Sequence, residues 1–125
     1  MEEVTKKFEP EIEEKEKEIR IKAYLLTLEG EEKGKIYEIK TPSTLIGRKY
    51  GNILVKDEMV SKKHAQIDIL SEDIFYIKDL ASTNGTYVNG KKISYYKLEE
   101  GDIIKIGNTL FKFLKKLYDE NSSDQ

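Results

Sequence analysis

Three short clusters in this 125-residue chain carry side chains able to bind or transform a ligand. The first is Gly47-Arg48, which offers a forked, permanently charged guanidinium. The second, Ser61-Lys62-Lys63-His64, sets a hydroxyl, two ammonium groups and the sole histidine on successive positions. The third, Ser82-Thr83-Asn84-Gly85, places two hydroxyls and an amide side by side just after Asp79-Leu80. Such a loop is either a plain turn held by its own side chains or a recognition surface. Covalent chemistry has little to work with. There is no cysteine, hence no thiol nucleophile and no thiolate zinc site. His64 has no signalled nucleophile or acid beside it, so it does not read as a general base. No histidine pair or carboxylate cluster stands at metal spacing, and no glycine-rich phosphate loop opens a helix. Asp57-Glu58 and Glu99-Glu100 read as solvated turn residues. The expectation is binding without catalysis, cofactor or metal.

The elements that must position these clusters are strands. Ile21–Leu28, Lys35–Lys40, Ser43–Ile46, Ile53–Val55, His64–Leu70 and Ile74–Leu80 are short, β-prone and divided by polar or glycine-containing turns. Asn84-Gly85 and Asn89-Gly90 are two turn signals around Thr86-Tyr87-Val88, since both residue types accept positive φ. The second pair predicts a hairpin into Lys91-Lys92-Ile93. Gly101-Asp102 turns into Ile103–Ile106, and Gly107-Asn108 turns into Leu110–Leu114. Tyr87 and Val88 read as packing residues, and alternation predicts that one of Tyr95 and Tyr96 faces in and the other out. Between residues 21 and 114 no stretch sustains a helical period. A turn every eight to twelve residues therefore predicts an all-β antiparallel sandwich or barrel.

Composition narrows the function classes. The length suits one domain. Charged residues make up 37% of the chain, yet the net charge is only −2. Residues 1–20 hold eight Glu against four Lys and one Arg, so they carry −3 and residues 21–125 only +1. That is too little for a nucleic-acid face built on charge. No apolar run reaches membrane-spanning length. Residues 1–20 lack an apolar face and read as a charged, flexible tail; the chain after Leu117 reads as frayed.

In their order and on this strand rhythm, Gly47-Arg48, Ser61-Lys62-Lys63-His64 and Thr83-Asn84-Gly85 resemble the forkhead-associated (FHA) family, bacterial type. The resemblance covers about residues 21–115 and continues through Gly101–Gly107. It implies an eleven-stranded FHA/SMAD-like β-sandwich over residues 21–115, with residues 116–125 a second flexible tail. It also implies a cytoplasmic, monomeric signalling module that binds phosphothreonine proteins downstream of Ser/Thr kinases. The chain departs from the family's common form in a shorter stretch between Arg48 and Ser61, and in Lys62, where Arg or Asn is more usual. A phosphothreonine brings nearly two negative charges and three strong acceptor oxygens. Arg48 can answer with a forked set of donors, Ser61 with a hydroxyl and Lys62 with a point charge. By resemblance Thr83 joins them, Asn84 holds the peptide main chain, His64 braces the Ser61 loop, and Gly47 and Gly85 shape the loops.

Two further readings follow from the same comparison. One is a phosphate-independent scaffold domain that docks a partner through its sheet face. The other is the N-terminal regulatory segment of a larger bacterial signalling enzyme, because Gly107–Leu114 looks like FHA domains that precede a diguanylate cyclase domain. Finally, Thr5, with acidic residues before it and Phe8 three positions after, is similar to tail threonines that fold back on their own FHA site once phosphorylated. The chain's own N-terminal tail is thereby a second candidate partner.

Overall fold

The structure, a computed structural model, describes residues 19–40 and 42–119. Eleven strands form two sheets: β1 (Ile19–Glu29), β2 (Ile36–Ile39), β3 (Ser43–Gly47), β4 (Ile53–Leu54), β5 (Ala65–Ser71), β6 (Ile74–Asp79), β7 (Thr86–Val88), β8 (Lys91–Ile93), β9 (Tyr95–Lys97), β10 (Ile103–Ile106) and β11 (Thr109–Asp119). One sheet has the order β2-β1-β11-β10-β7-β8, the other β4-β3-β5-β6-β9. This is the expected β-sandwich, with one parallel pair, β3–β4, in an otherwise antiparallel set.

The period-two pattern explains which faces meet. Ala23 and Leu25 of β1, Ile104 and Ile106 of β10, and Phe111 and Phe113 of β11 point inward from the first sheet. Ile46, Ala65, Ile67, Phe75 and Ile77 answer from the second. Phe75 and Phe113 meet edge to face across the gap, ring centres 5.4 Å apart at 62°. Such a pair contributes about 0.5–1.5 kcal/mol beyond its buried area. Asn89-Gly90 forms the expected hairpin turn, with φ of 52° and 85°, and closes β7 onto β8 with Val88 opposite Lys91. The Tyr95-Tyr96 alternation also holds. Tyr96 packs against the core, while Tyr95 is exposed and stacks on Tyr76 at 4.6 Å.

The expected domain borders fall short of the sheet. β1 begins two residues before position 21 and β11 continues four past 115, paired from Ile19↔Asp119 inward. Residues 116–119, expected to belong to a flexible tail, are strand residues because β1 supplies their partners. The rest of both tails, including Thr5, lies outside the described residues.

One register line places the functional loops. Ile46, Ala65 and Asp79 stand side by side across β3, β5 and β6. The ladder runs one step further, His64 N–H donating to the Ile46 carbonyl and Leu80 N–H to the His64 carbonyl, both at 2.9 Å. The ends of β3 and β6 and the start of β5 thus lie level, and the chain adjoining each carries one of the three clusters.

Candidate functional site

The β3–β4 turn is laced to the segment before β5. Arg48 N–H donates to the Ser61 carbonyl at 2.9 Å, and the Lys49 and Tyr50 N–H groups both reach the Lys62 carbonyl. Gly47 makes this approach possible. A Cβ there would stand 2.1 Å from the Lys62 oxygen and 2.5 Å from that of Tyr50. Arg48 is exposed, and its Nε donates to the Val60 carbonyl at 2.9 Å, which leaves the Nη groups as further donors. No ion pair occupies Arg48 among the described residues.

Ser61 and His64 form a small mechanism of their own. Ser61 N–H donates to His64 Nδ1 at 3.0 Å, so Nδ1 is the acceptor nitrogen. The proton then sits on Nε2, which donates to the Gly85 carbonyl at 2.9 Å. His64 is wholly buried. It therefore ties the second cluster to the third and has no route to a substrate. Ser61 Oγ accepts from Thr83 N–H at 3.0 Å, which leaves its own O–H free to donate outward. Asn84 Nδ2 donates to the Met59 carbonyl at 2.9 Å and keeps Oδ1 and a second N–H unengaged among the described residues. Lys62 and Thr83 are exposed at the same rim. All five expected contact residues, Arg48, Ser61, Lys62, Thr83 and Asn84, thus stand on adjoining loops at one pole.

Two carboxylates hold this pole together, and neither stood out as a site residue in the sequence. Asp79 accepts from Ser82 Oγ at 2.6 Å, Thr86 Oγ1 at 2.7 Å and Ser82 N–H at 3.1 Å, while Ser82 Oγ accepts from Gly85 N–H. The loop carries Ala81 at φ 56° and Gly85 at φ 88°, both left-handed. Burial pushes the Asp79 carboxyl up, but these hydrogen bonds outweigh it and the group titrates below its usual range. Asp57, read from sequence as a solvated turn residue, is instead a latch. It accepts from Met59 N–H, from Asn108 N–H at 2.7 Å and from Thr109 Oγ1 at 2.8 Å, pinning the β4–β5 loop to the β10–β11 turn. Burial again pushes it up and the hydrogen bonds again win, so Asp57 too is lowered. Asp57 holds Met59, and Met59 holds Asn84.

The arrangement is a donor-rich, cation-bearing rim whose two structural carboxylates, Asp57 and Asp79, are engaged by the protein's own donors. That is anion-binding chemistry on a main-chain frame. Residues 44–107 match the model of the FHA domain, a little over half of the chain. The chain belongs to the FHA family. It is 36% identical over 93 residues to the oxoglutarate dehydrogenase inhibitor of Corynebacterium efficiens, covering 74% of this chain and 65% of that one. The chain thus spans just under two thirds of that relative's length. Among solved structures, an FHA domain studied for phosphothreonine-dependent interactions superposes with a TM-score of 0.69 at 29% identity, covering 74% of this chain and 95% of the other. EmbR of Mycobacterium tuberculosis, solved in complex with a low-affinity phosphopeptide, superposes at 0.68 with 33% identity, covering 74% of this chain and 24% of EmbR. The FHA fold here is all strand, and no helix among the described residues is long and apolar enough to cross a membrane.

Proposed function

We propose that this FHA domain binds phosphothreonine-containing proteins, acting without a catalytic step as a monomeric cytoplasmic recognition module downstream of Ser/Thr kinases. The observation that carries the reading is the Ser61–Thr83 bond. It joins the loop of the cationic donors to the loop of Asn84 in one rigid edge. Arg48 and Lys62 supply charge to the phosphate, Ser61 and Thr83 supply hydroxyls, and Asn84 gives and accepts one bond each with the peptide main chain. His64, Gly47 and Gly85 hold these groups in place and touch no ligand. The FHA structures named above, one studied for phosphothreonine-dependent interactions and the other solved with a phosphopeptide, support the same reading.

The test is fluorescence anisotropy with a phosphothreonine peptide library beside its unphosphorylated twin. The phosphorylated set alone should bind. Arg48→Ala should weaken it by about 10- to 150-fold, which is the roughly 1.5–3 kcal/mol of a hydrogen bond to a charged group. Equal binding of both sets, or an Arg48→Ala variant that binds as well as the parent, would sink the proposal.

A further inference from the structure

The β3–β4 turn and the segment before β5 together carry more positive charge than one phosphate requires. Beside Arg48 stand Lys49, Lys62 and Lys63, all exposed, and none makes an ion pair among the described residues. Their backbones are fixed to one another, since the Lys49 and Tyr50 amides both donate to the Lys62 carbonyl. Two of these ammonium groups, from two different loops, converge on one ring. Lys49 Nζ lies 5.6 Å and Lys63 Nζ 5.7 Å from the centre of Tyr50, whose side chain is half exposed. Other tyrosines in the described fold, Tyr37, Tyr87 and Tyr118, each meet a single lysine.

Like charges brought to one place raise each other's energy, and an aromatic face recovers only part of that. The acids on these loops do not supply the remainder. Asp57 is bound to the β10–β11 turn and Asp79 to Ser82 and Thr86, leaving the exposed Glu58, which forms no ion pair among the described residues. Within a domain whose residues 21–125 net only +1, this is a concentrated and uncompensated patch. Its position is also directional. The Tyr50 ring belongs to the Arg48 loop, which is bonded to the Ser61 carbonyl, whereas Asn84 belongs to the loop bonded to Ser61 Oγ.

Building on the phosphothreonine reading, we propose that Lys49, Tyr50 and Lys63 form a second anion subsite, selecting phosphothreonine peptides that carry another acidic side chain on one flank. A carboxylate or a second phosphate would lie between the two ammonium groups, with its methylene stem on the ring. The acidic group belongs on a single side of the phosphothreonine, because the Tyr50 ring lies on the Arg48 loop and not on the Asn84 loop.

The experiment walks one Asp through four positions on either side of phosphothreonine in an alanine-flanked peptide, with affinities read by anisotropy. The protein is compared with its Lys49→Gln/Lys63→Gln variant, whose altered side chains are exposed. In the unmodified protein one or two adjacent positions on one side should bind roughly three- to tenfold tighter than the alanine-flanked parent, as two exposed ion pairs of up to about 1 kcal/mol each allow. In the variant that ratio should fall to one, and in the unmodified protein it should shrink with added salt. A flat Asp scan, gains on both sides, or a ratio that survives in the variant would overturn the subsite while leaving the phosphothreonine reading intact. A parent phosphopeptide that binds no better than its unphosphorylated twin would instead overturn that reading, and this one with it.

Discussion

Replacing His64 with alanine tests the frame on which the site depends. His64 is wholly buried and makes two ring hydrogen bonds, one from Ser61 N–H and one to the Gly85 carbonyl. Alanine leaves a donor and an acceptor without partners in a place that water reaches poorly. Each such group costs about 1–3 kcal/mol, so the expected loss is about 2–6 kcal/mol before any cavity term. Domains of this size hold about 5–15 kcal/mol in total, so the loss is a large share of the stability and the fraction folded at 25 °C is to be read alongside it. Urea denaturation reads the loss as a lowered midpoint at an unchanged slope. The damage should also be local. Amide signals of Ser61, Thr83 and Gly85 in ¹⁵N spectra should move most, because Ser61 Oγ then drifts from Thr83 N–H. Phosphopeptide affinity should fall although His64 touches no ligand. A loss below about 1 kcal/mol, or full affinity with disturbed Ser61 signals, would refute the idea that this ring couples the loops.

Three further outcomes follow from the same contacts. Gly47→Ala must move the Lys62 carbonyl, which would stand 2.1 Å from the new Cβ, so both thermal stability and phosphopeptide affinity should drop. A cost of about 1–3 kcal/mol is expected, and a melting temperature unchanged within a degree would count against it. Asp57 and Asp79 both titrate below the usual carboxylate range when folded, so their contribution is present above that range and is lost as pH falls through their folded values. Urea midpoints should therefore fall below about pH 4, and less steeply in Asp79→Asn; equal pH slopes would disprove the role. Thr27 Oγ1 is buried with no hydrogen-bond partner among the described residues, so Thr27→Val should stabilise the domain by about 1 kcal/mol and raise its Tm, while a lower Tm would show that the hydroxyl is satisfied.

What the sequence disclosed and what it hid divide along physical lines. The Asn89-Gly90 hairpin was legible because positive φ is a property of the residues themselves. The donors of the candidate site, Arg48, Ser61 and Asn84, announce their chemistry by type, and the fold brings them to adjoining loops. Asp57 was not legible, because its partners Asn108 and Thr109 lie 51 and 52 residues away, and an Asp-Glu pair on a turn usually faces water. The outer ends of β1 and β11 were misjudged for a related reason. Residues 116–119 look like tail residues until β1 lies beside them. The parallel β3–β4 pair involves only Ile53 and Leu54, too few residues to declare a direction. Local signals name chemistry and turns; long-range pairing decides which acids become struts.

The pairing of β1 with β11 also sets a clock. The earliest strand lies inside its sheet, between β2 and the last strand to be made. Its partner Thr109–Asp119 leaves the ribosome about ninety residues later, some five to twenty seconds at ordinary synthesis rates. Until then β1 can hold only β2, and the apolar face bearing Ala23 and Leu25 has no finished sheet around it. Contacts so distant in sequence also make for slow closure once the chain is free. The domain must therefore be completed before it can read anything, and a chain cut short of Thr109 would present two bare strand edges to its neighbours.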